Sequence, residues 1–309
     1  MNALNPDVDP GRFEIHRGEV RPGVELAWIR EGVGGRPLLL LHGFPETKRI
    51  WWRNIGPLAA AGFEVIVPDL RGFGDSPMPA DGFSDTAAYS RDVAALVTDV
   101  LGHERVAAAA GDLGGVVMYD LGLRFEGLVG EQCFFNSVPP ALGREVYEAA
   151  GVPAELGIDL ATADYFVRQG LDADGLAAEL DTTQRRVAYI AEFYGHRLWA
   201  GPGGFDPGST AFHAAPFADA GVFRSSIAAY EPAMRAKPSS EPAMFRETNP
   251  VPTLVLYGPE DHVIPASFPD RCAVAFPNCV GPFTVPGAGH FLQWERSDLF
   301  NRTLTRFLA

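Results

Sequence analysis

Ala110-Gly111-Asp112-Leu113-Gly114-Gly115 decides how this chain is read. It follows the apolar run Val106 to Ala110, which reads as a buried parallel strand, and precedes Val116 to Leu123, which reads as a helix. Strand, Gly-flanked turn and helix make the frame of a nucleophile elbow, in which one side chain is held out on a strained turn at the top of a sheet. The usual occupant is Ser; here it is Asp112. A carboxylate that attacks carbon makes an alkyl ester, so the frame points away from serine esterases and towards chemistry that opens a C–O or C–halogen bond. The competing reading is a Gly-rich turn with an acidic helix cap, since Asp is favoured at N-caps.

Outward from the elbow, β-like and α-like segments alternate. Phe13 to His16 and Val24 to Ile29 read as an opening hairpin, and Pro37 to Leu41 as a strand covered on both faces. Thr47 to Ala61 reads as helix, Glu64 to Pro68 as strand, and Thr86 to Leu101 as helix, with Val93, Leu96, Val97, Val100 and Leu101 at helical spacing. The helix Leu113 to Phe125 and the strand Gln132 to Phe135 complete this half, which implies a parallel sheet with helices on both faces. From about Ser137 to Thr248 no strand-like run is found, and Tyr165 to Gln169, Thr182 to Trp199 and Phe223 to Met234 read as helices around a turn cluster, Gly201 to Gly208. The sheet pattern returns at Pro252 to Tyr257 and Phe283 to Val285 and ends in a helix, Leu299 to Leu308. The expected organisation is a sheet domain, residues 1–136 and 249–309, interrupted by a helical insertion, residues 137–248.

Four further segments join the elbow. His42-Gly43-Phe44-Pro45 follows a strand directly, so the N–H groups of Phe44 and Leu113 can converge on a developing oxyanion. Pro68-Asp69-Leu70-Arg71-Gly72-Phe73-Gly74-Asp75-Ser76 reads as a structural loop bracing the elbow. Val255 to His262 places Asp261 just past a strand end, where open α/β sheets build their sites. Gly287-Ala288-Gly289-His290-Phe291 places a His after the last strand. The order Asp112, Asp261, His290 is that of nucleophile, acid and base. His262 is an alternative base, beside Asp261.

With HGFP, PDLRGFGDS, the elbow and GAGH together, nearly the whole chain resembles the α/β-hydrolase superfamily, in its epoxide hydrolase and dehalogenase branch. The resemblance implies a mostly parallel eight-stranded sheet with a helical cap inserted after the sixth strand, no metal and no organic cofactor. Haloalkane dehalogenases usually carry Trp after the nucleophile, where this chain has Leu113; fluoroacetate dehalogenases carry Arg on the elbow helix, where Leu113 to Gly122 has none. Epoxide hydrolases hold the epoxide oxygen with cap hydroxyls, typically from two Tyr. Tyr230 matches the second. The expected place of the first falls at Thr162, with Tyr165 one helical turn on and Tyr194 a further candidate. Gly111 stands where the family commonly has His. The expected activity is hydrolysis of an apolar epoxide to a vicinal diol through an ester on Asp112, with Asp112, His290, Asp261 and Tyr230 catalytic and the N–H groups of Phe44 and Leu113 as the oxyanion hole. Thr162, Tyr165, Tyr194 and Trp51 are expected substrate contacts. The alternative is a dehalogenase on the same triad with Trp51 or Trp52 binding halide. A binding protein that kept the fold would have no need of the nucleophile.

Bulk composition agrees with this class. Hydrophobic residues make up 47% of the chain, enough for a large core, and the net charge of 25 − 39 = −14 opposes nucleic acid or an anionic membrane as partner. Cys133, Cys272 and Cys279 lack metal-ligand spacing and fit a reduced, cytoplasmic protein. No run approaches the ~20 apolar residues of a spanning helix, and Met1 to Phe13 has no signal-peptide pattern. The expected partners are a small apolar epoxide and water, in a monomer or homodimer.

Overall fold

The computed structural model describes residues 6–153, 164–195 and 199–309. Eight strands form one sheet: β1 (His16–Arg21), β2 (Val24–Glu31), β3 (Arg36–Leu41), β4 (Phe63–Pro68), β5 (Val106–Gly111), β6 (Val129–Phe135), β7 (Thr253–Tyr257) and β8 (Cys279–Thr284). Their spatial order is β1-β2-β4-β3-β5-β6-β7-β8. β1 and β2 run antiparallel to their neighbours, and the other six strands are mutually parallel. The central strands are buried throughout: every residue of β4, β5 and β7 is buried, Glu64 and Thr253 being the polar exceptions in otherwise apolar runs, as expected where helices cover both faces.

The helices are α1 (Trp52–Ala60), α2 (Thr86–Ala95), α3 (Asp112–Arg124), α4 (Arg144–Ala149), α5 (Asp164–Leu171), α6 (Ala173–Glu179), α7 (Thr183–Gly195), α8 (Pro207–Ala214), α9 (Ala220–Ile227), α10 (Tyr230–Ala233), α11 (Phe268–Ala275), α12 (Leu292–Glu295) and α13 (Ser297–Leu308). Among the described residues between β6 and β7 there is no strand. α13 shows the amphipathic rule clearly: Phe300, Leu304 and Leu308 recur every four residues and are its buried positions.

Local departures from the sequence pattern have identifiable causes. The first strand begins at His16 rather than Phe13, because Phe13 packs edge-on against Trp52 at 5.2 Å instead of pairing in the sheet. The helix read over Thr86 to Leu101 ends as α at Ala95 and widens into an i→i+5 turn, with Leu101 N–H donating to Leu96 O at 3.0 Å. The helix read over Phe223 to Met234 is two helices. Pro232 has no N–H for the Ala228 carbonyl, which accepts instead from Ser84 Oγ at 2.8 Å and Glu231 N at 3.1 Å.

Strand register brings the functional loops to one edge. Leu41 pairs with Ala110, Gly111 with Phe135, and Phe135 with Leu256, so the segments after β3, β5, β6 and β7 leave the sheet side by side. The close approach needs glycine at the elbow. A Cβ on Gly114 would stand 2.6 Å from His42 O and 2.8 Å from Leu41 O, and neither backbone oxygen can yield. A Cβ on Gly111 would meet the Phe135 ring at 2.6 Å, so Phe135 fills the space next to the elbow. Gly114→Ala should therefore destabilise the fold by about 1–3 kcal/mol, as overpacking does. The check is the denaturant midpoint at unchanged m-value; an unchanged midpoint would refute the steric account.

Candidate active site

Asp112 sits at the first position of α3 with φ 45°, a left-handed conformation that a non-glycine residue adopts only when its surroundings hold it there. They do. Its N–H donates to Asn136 O at 3.0 Å, and its carbonyl accepts from Ser137 Oγ at 2.6 Å. Oδ1 accepts the Phe44 N–H at 2.7 Å, and the room for that contact exists because residue 43 is Gly: a Cβ there would lie 2.3 Å from Oδ1. Oδ2 is 3.3 Å from Nε2 of His290. That Nε2 is buried and makes no aligned hydrogen bond. Nδ1 of His290 is 2.7 Å from Asp261 Oδ2, whose other oxygen accepts from Val263 N (2.9 Å) and Ile264 N (3.0 Å). The three sequence-predicted residues thus form one chain of contacts, carboxylate, imidazole, carboxylate.

Electrostatics follow from this order. Burial works against a charged His290, but Asp261 first, and then Asp112, outweigh it and hold its pKa well above 6.5. His262 is exposed and belongs to no such pair, which removes it as the base.

A cavity of about 570 Å³, mostly apolar, opens above Asp112 and Leu113. Tyr165 from α5 and Tyr230 from α10 line it, with Phe166, Phe245 and Ile264. The two tyrosine rings meet edge to face at 5.8 Å, within side-chain hydrogen-bonding reach of one another. Burial first, and then Asp112 for Tyr165 or Tyr165 itself for Tyr230, pushes both phenols well above 10, so both are protonated donors at neutral pH.

Other expected contacts fall elsewhere. Tyr194 donates its hydroxyl to Pro45 O at 2.5 Å and stacks on Phe291 at 4.8 Å, so it anchors α7 to the HGFP turn and does not line the cavity. Trp51 is buried between Phe135 and Phe300, away from the cavity. Trp52 donates Nε1 to Asp9 O at 2.9 Å, so it too is unavailable to a leaving halide. Thr162 lies outside the described residues. The PDLRGFGDS loop braces the HGFP turn rather than the elbow itself: Leu70 N–H donates to His42 Nε2 at 3.0 Å, and Asp69 accepts from Lys48 N at 2.7 Å and Asp75 N at 2.8 Å. No cluster of His, Cys, Asp and Glu suited to a metal ion occurs among the described residues, and none of their helices is long and apolar enough to cross a membrane.

Comparison with known proteins agrees with the fold. Residues 36–297 match the family model described as alpha/beta hydrolase fold. The chain is an α/β hydrolase. The hydrolase is 29% identical to epoxide hydrolase A of Mycobacterium tuberculosis over 93% of this chain and 95% of that one. Over 129 residues, 41% of this chain and 43% of the other, it is 38% identical to a soluble epoxide hydrolase of Corynebacterium sp. strain C12. The solved structure of the epoxide hydrolase CorEH superposes with TM-score 0.80 at 23% identity, covering 96% of this chain and 98% of that one.

Three residues beside the triad escaped the sequence reading. Asn136 sits at φ 36° just after β6; its Oδ1 accepts from Gly258 N at 2.9 Å and its Nδ2 donates to Gly289 O at 2.5 Å, linking the ends of β6 and β7 to the His290 loop. Glu295 follows His290 by five residues and is bound to the same loop. Glu46 is buried, accepts from Gly43 N at 2.5 Å and Gln293 Nε2 at 2.9 Å, and is pushed up to about 7 by burial and then by Asp112. The available signal was position: HGFP is followed directly by Glu46, and GAGH is followed within five residues by Glu295.

Glu46 gives a pH prediction. Its pKa of about 7 in the fold lies above its ordinary 4.5, so the folded state binds its proton more tightly than the unfolded chain, and stability is lost as pH rises from 4.5 through 7. Glu46→Gln is neutral throughout, and the unpartnered Oε1 of Gln293 can turn to accept from the new amide. The variant should lose less stability than the parent between about pH 5 and about pH 8. Parallel melting-temperature curves across that window would contradict it.

Proposed function

We propose that this hydrolase opens an apolar epoxide to a vicinal diol through a covalent ester on Asp112. The observation that carries the reading is the pair of protonated hydroxyls, Tyr165 and Tyr230, lining the cavity that also holds Asp112. An alkoxide leaving group is strongly basic and needs such donors; a halide does not. The similarity to proteins named epoxide hydrolases supports the same conclusion. Residues 137–248 serve as the cap that brings the tyrosines over the core, residues 1–136 and 249–309. Cys133, Cys272 and Cys279 are free thiols, in keeping with a reduced cytoplasmic setting.

In the first step Oδ2 of Asp112, the oxygen not held by Phe44, attacks an epoxide carbon. The C–O bond breaks and the departing oxygen takes one proton from the Tyr165–Tyr230 pair, becoming the hydroxyl of a hydroxyalkyl ester. Alkylation neutralises Asp112 and removes one of the two anions that favour a charged His290. The imidazole gives up its proton, which by way of solvent restores the tyrosine hydroxyl, and the neutral ring serves as general base, still oriented by Asp261. Water gives its proton to Nε2 and attacks the ester carbonyl. The tetrahedral oxyanion forms at Oδ1, where the Phe44 N–H already points, joined by the Leu113 N–H, which lies in the first turn of α3 where amides lack intrahelical partners. Collapse breaks the bond between the carbonyl carbon and the alkoxy oxygen. The departing alkoxide takes the remaining proton of the attacking water, Asp112 regains its carboxylate with one oxygen from water, and His290 is left charged as it began, so epoxide plus water equals diol.

Styrene oxide should give diol, and short haloalkanes should give no halide. His290→Gln should keep the first step and lose the second, so mass spectrometry should find a stable adduct on the peptide carrying Asp112. Halide release without diol formation would select the dehalogenase alternative.

Two tyrosines sharing one proton transfer make a second prediction. Tyr165→Phe and Tyr230→Phe should each lower kcat/KM for diol formation, and the double variant should lose 10²-fold or more, as is roughly typical when general acid catalysis is removed. Circular dichroism controls for folding. A folded double variant with parental activity would remove the tyrosines from the mechanism.

A further inference from the structure

Glu295 ends α12 and does not line the cavity. Its carboxylate instead accepts from three backbone amides. Oε2 takes Gly289 N at 2.8 Å and Gly201 N at 2.8 Å, and Oε1 takes Phe291 N at 3.0 Å. Gly289 and Phe291 are the residues on either side of His290. Gly201 belongs to the loop between α7 and α8, in the helical segment above the sheet. One carboxylate therefore grips both the loop that carries the base and the layer that carries the tyrosines.

A second set of contacts joins the same two segments. His290 N–H donates to Trp199 O at 2.7 Å, and the Trp199 ring packs against the imidazole at 4.6 Å. The backbones meet so closely that a Cβ on Gly289 would lie 2.3 Å from Gly201 N and 2.4 Å from Trp199 O. A Cβ on Gly201 would lie 2.6 Å from Glu295 Oε2. The main chain of the base is thus fastened to the helical layer at Trp199 and, through Glu295, at Gly201.

We propose that Glu295 is a positioning residue that ties His290 to the cap and thereby sets the rate of ester hydrolysis. The proposal rests on the epoxide-hydrolase reading. It assigns the effect to one half of the reaction for a geometric reason. Alkylation uses the carboxylate of Asp112 and the phenols of Tyr165 and Tyr230, none of which Glu295 holds. Hydrolysis needs Nε2 of His290 at the distance and angle that place a water against the ester carbonyl. A loop displaced by a fraction of an ångström loses that alignment and keeps the alkylating groups.

The test is a rapid-quench single turnover of styrene oxide, with the ester on the Asp112 peptide measured by mass spectrometry in the parent, His290→Gln and Glu295→Gln. Glu295→Gln keeps one acceptor oxygen and turns the other into a donor facing a backbone N–H. Expected is alkylation within about twofold of the parent and ester hydrolysis slower by about tenfold or more, so that ester accumulates. Hydrolysis at the parental rate, or both steps slowed in proportion, would overturn the proposal. If Glu295→Gln does not fold, Gly201→Ala carries the same test: it retains every charge and presses a methyl group against Oε2, and the same split is expected. His290→Gln separates the two levels of inference. Ester in that variant with none in Glu295→Gln rejects only the role of Glu295; no ester in His290→Gln rejects the reaction itself.

Discussion

The site depends on one constraint: a carboxylate held on left-handed backbone at the end of a buried strand. Asp112 at φ 45° is unfavourable for a side-chain-bearing residue, and strain of that kind persists only where neighbours over-determine it. Asn136 O and Ser137 Oγ fix the peptide groups on either side of its Cα, and Phe44 N–H fixes its outer oxygen. Two of these partners follow β6 and the third follows β3, so the conformation exists only when β3, β5 and β6 are in register. The glycines at 43 and 114 answer the same constraint, because a methyl group at either would occupy space taken by the elbow or the backbone beside it.

Charge is distributed so that the reaction can change it. Two carboxylates flank one buried imidazole, and together they overcome its burial. In the proposed reaction, converting Asp112 to an ester would remove one of them and so lower the hold on the proton of His290. Glu46 lies in the field of the same Asp112 carboxylate, and burial and that field raise its pKa to about 7. The site thus limits how much negative charge it carries at once, as expected where desolvated like charges stand close together.

The helical layer contributes more than a roof. Tyr165 and Tyr230 come from two of its helices and meet each other over the nucleophile, while Tyr194 and Trp199 reach down to the HGFP turn and to His290. The phenols over Asp112 and the imidazole of His290 are therefore located by the same body. For the proposed two-step reaction, that arrangement lets one packing interface keep both sets of groups in place.

Much of this was legible in the chain itself. The elbow, the HGFP turn and the GAGH loop each lie at a strand end marked by a continuous apolar run, and short-range pattern locates such turns because glycine and apolar periodicity act locally. The meeting of Asp112, Asp261 and His290 was readable from their order for that reason, and the place of Tyr230 in the cavity beside Asp112 from the resemblance. The order of the eight strands, and the choice among the aromatic residues, were not. Tyr165, Tyr194 and Trp51 are all large, buried aromatic residues, and nothing local says that the first lines the cavity, the second bonds to Pro45 and the third fills the core between Phe135 and Phe300. Asn136 and Glu295 bond to backbone groups far off in the chain, 153 residues away at Gly289 in one case and 94 residues away at Gly201 in the other. Local sequence determines which turns form; which side chains meet across those turns is decided by tertiary packing, because a contact between distant segments has no signature in either segment alone.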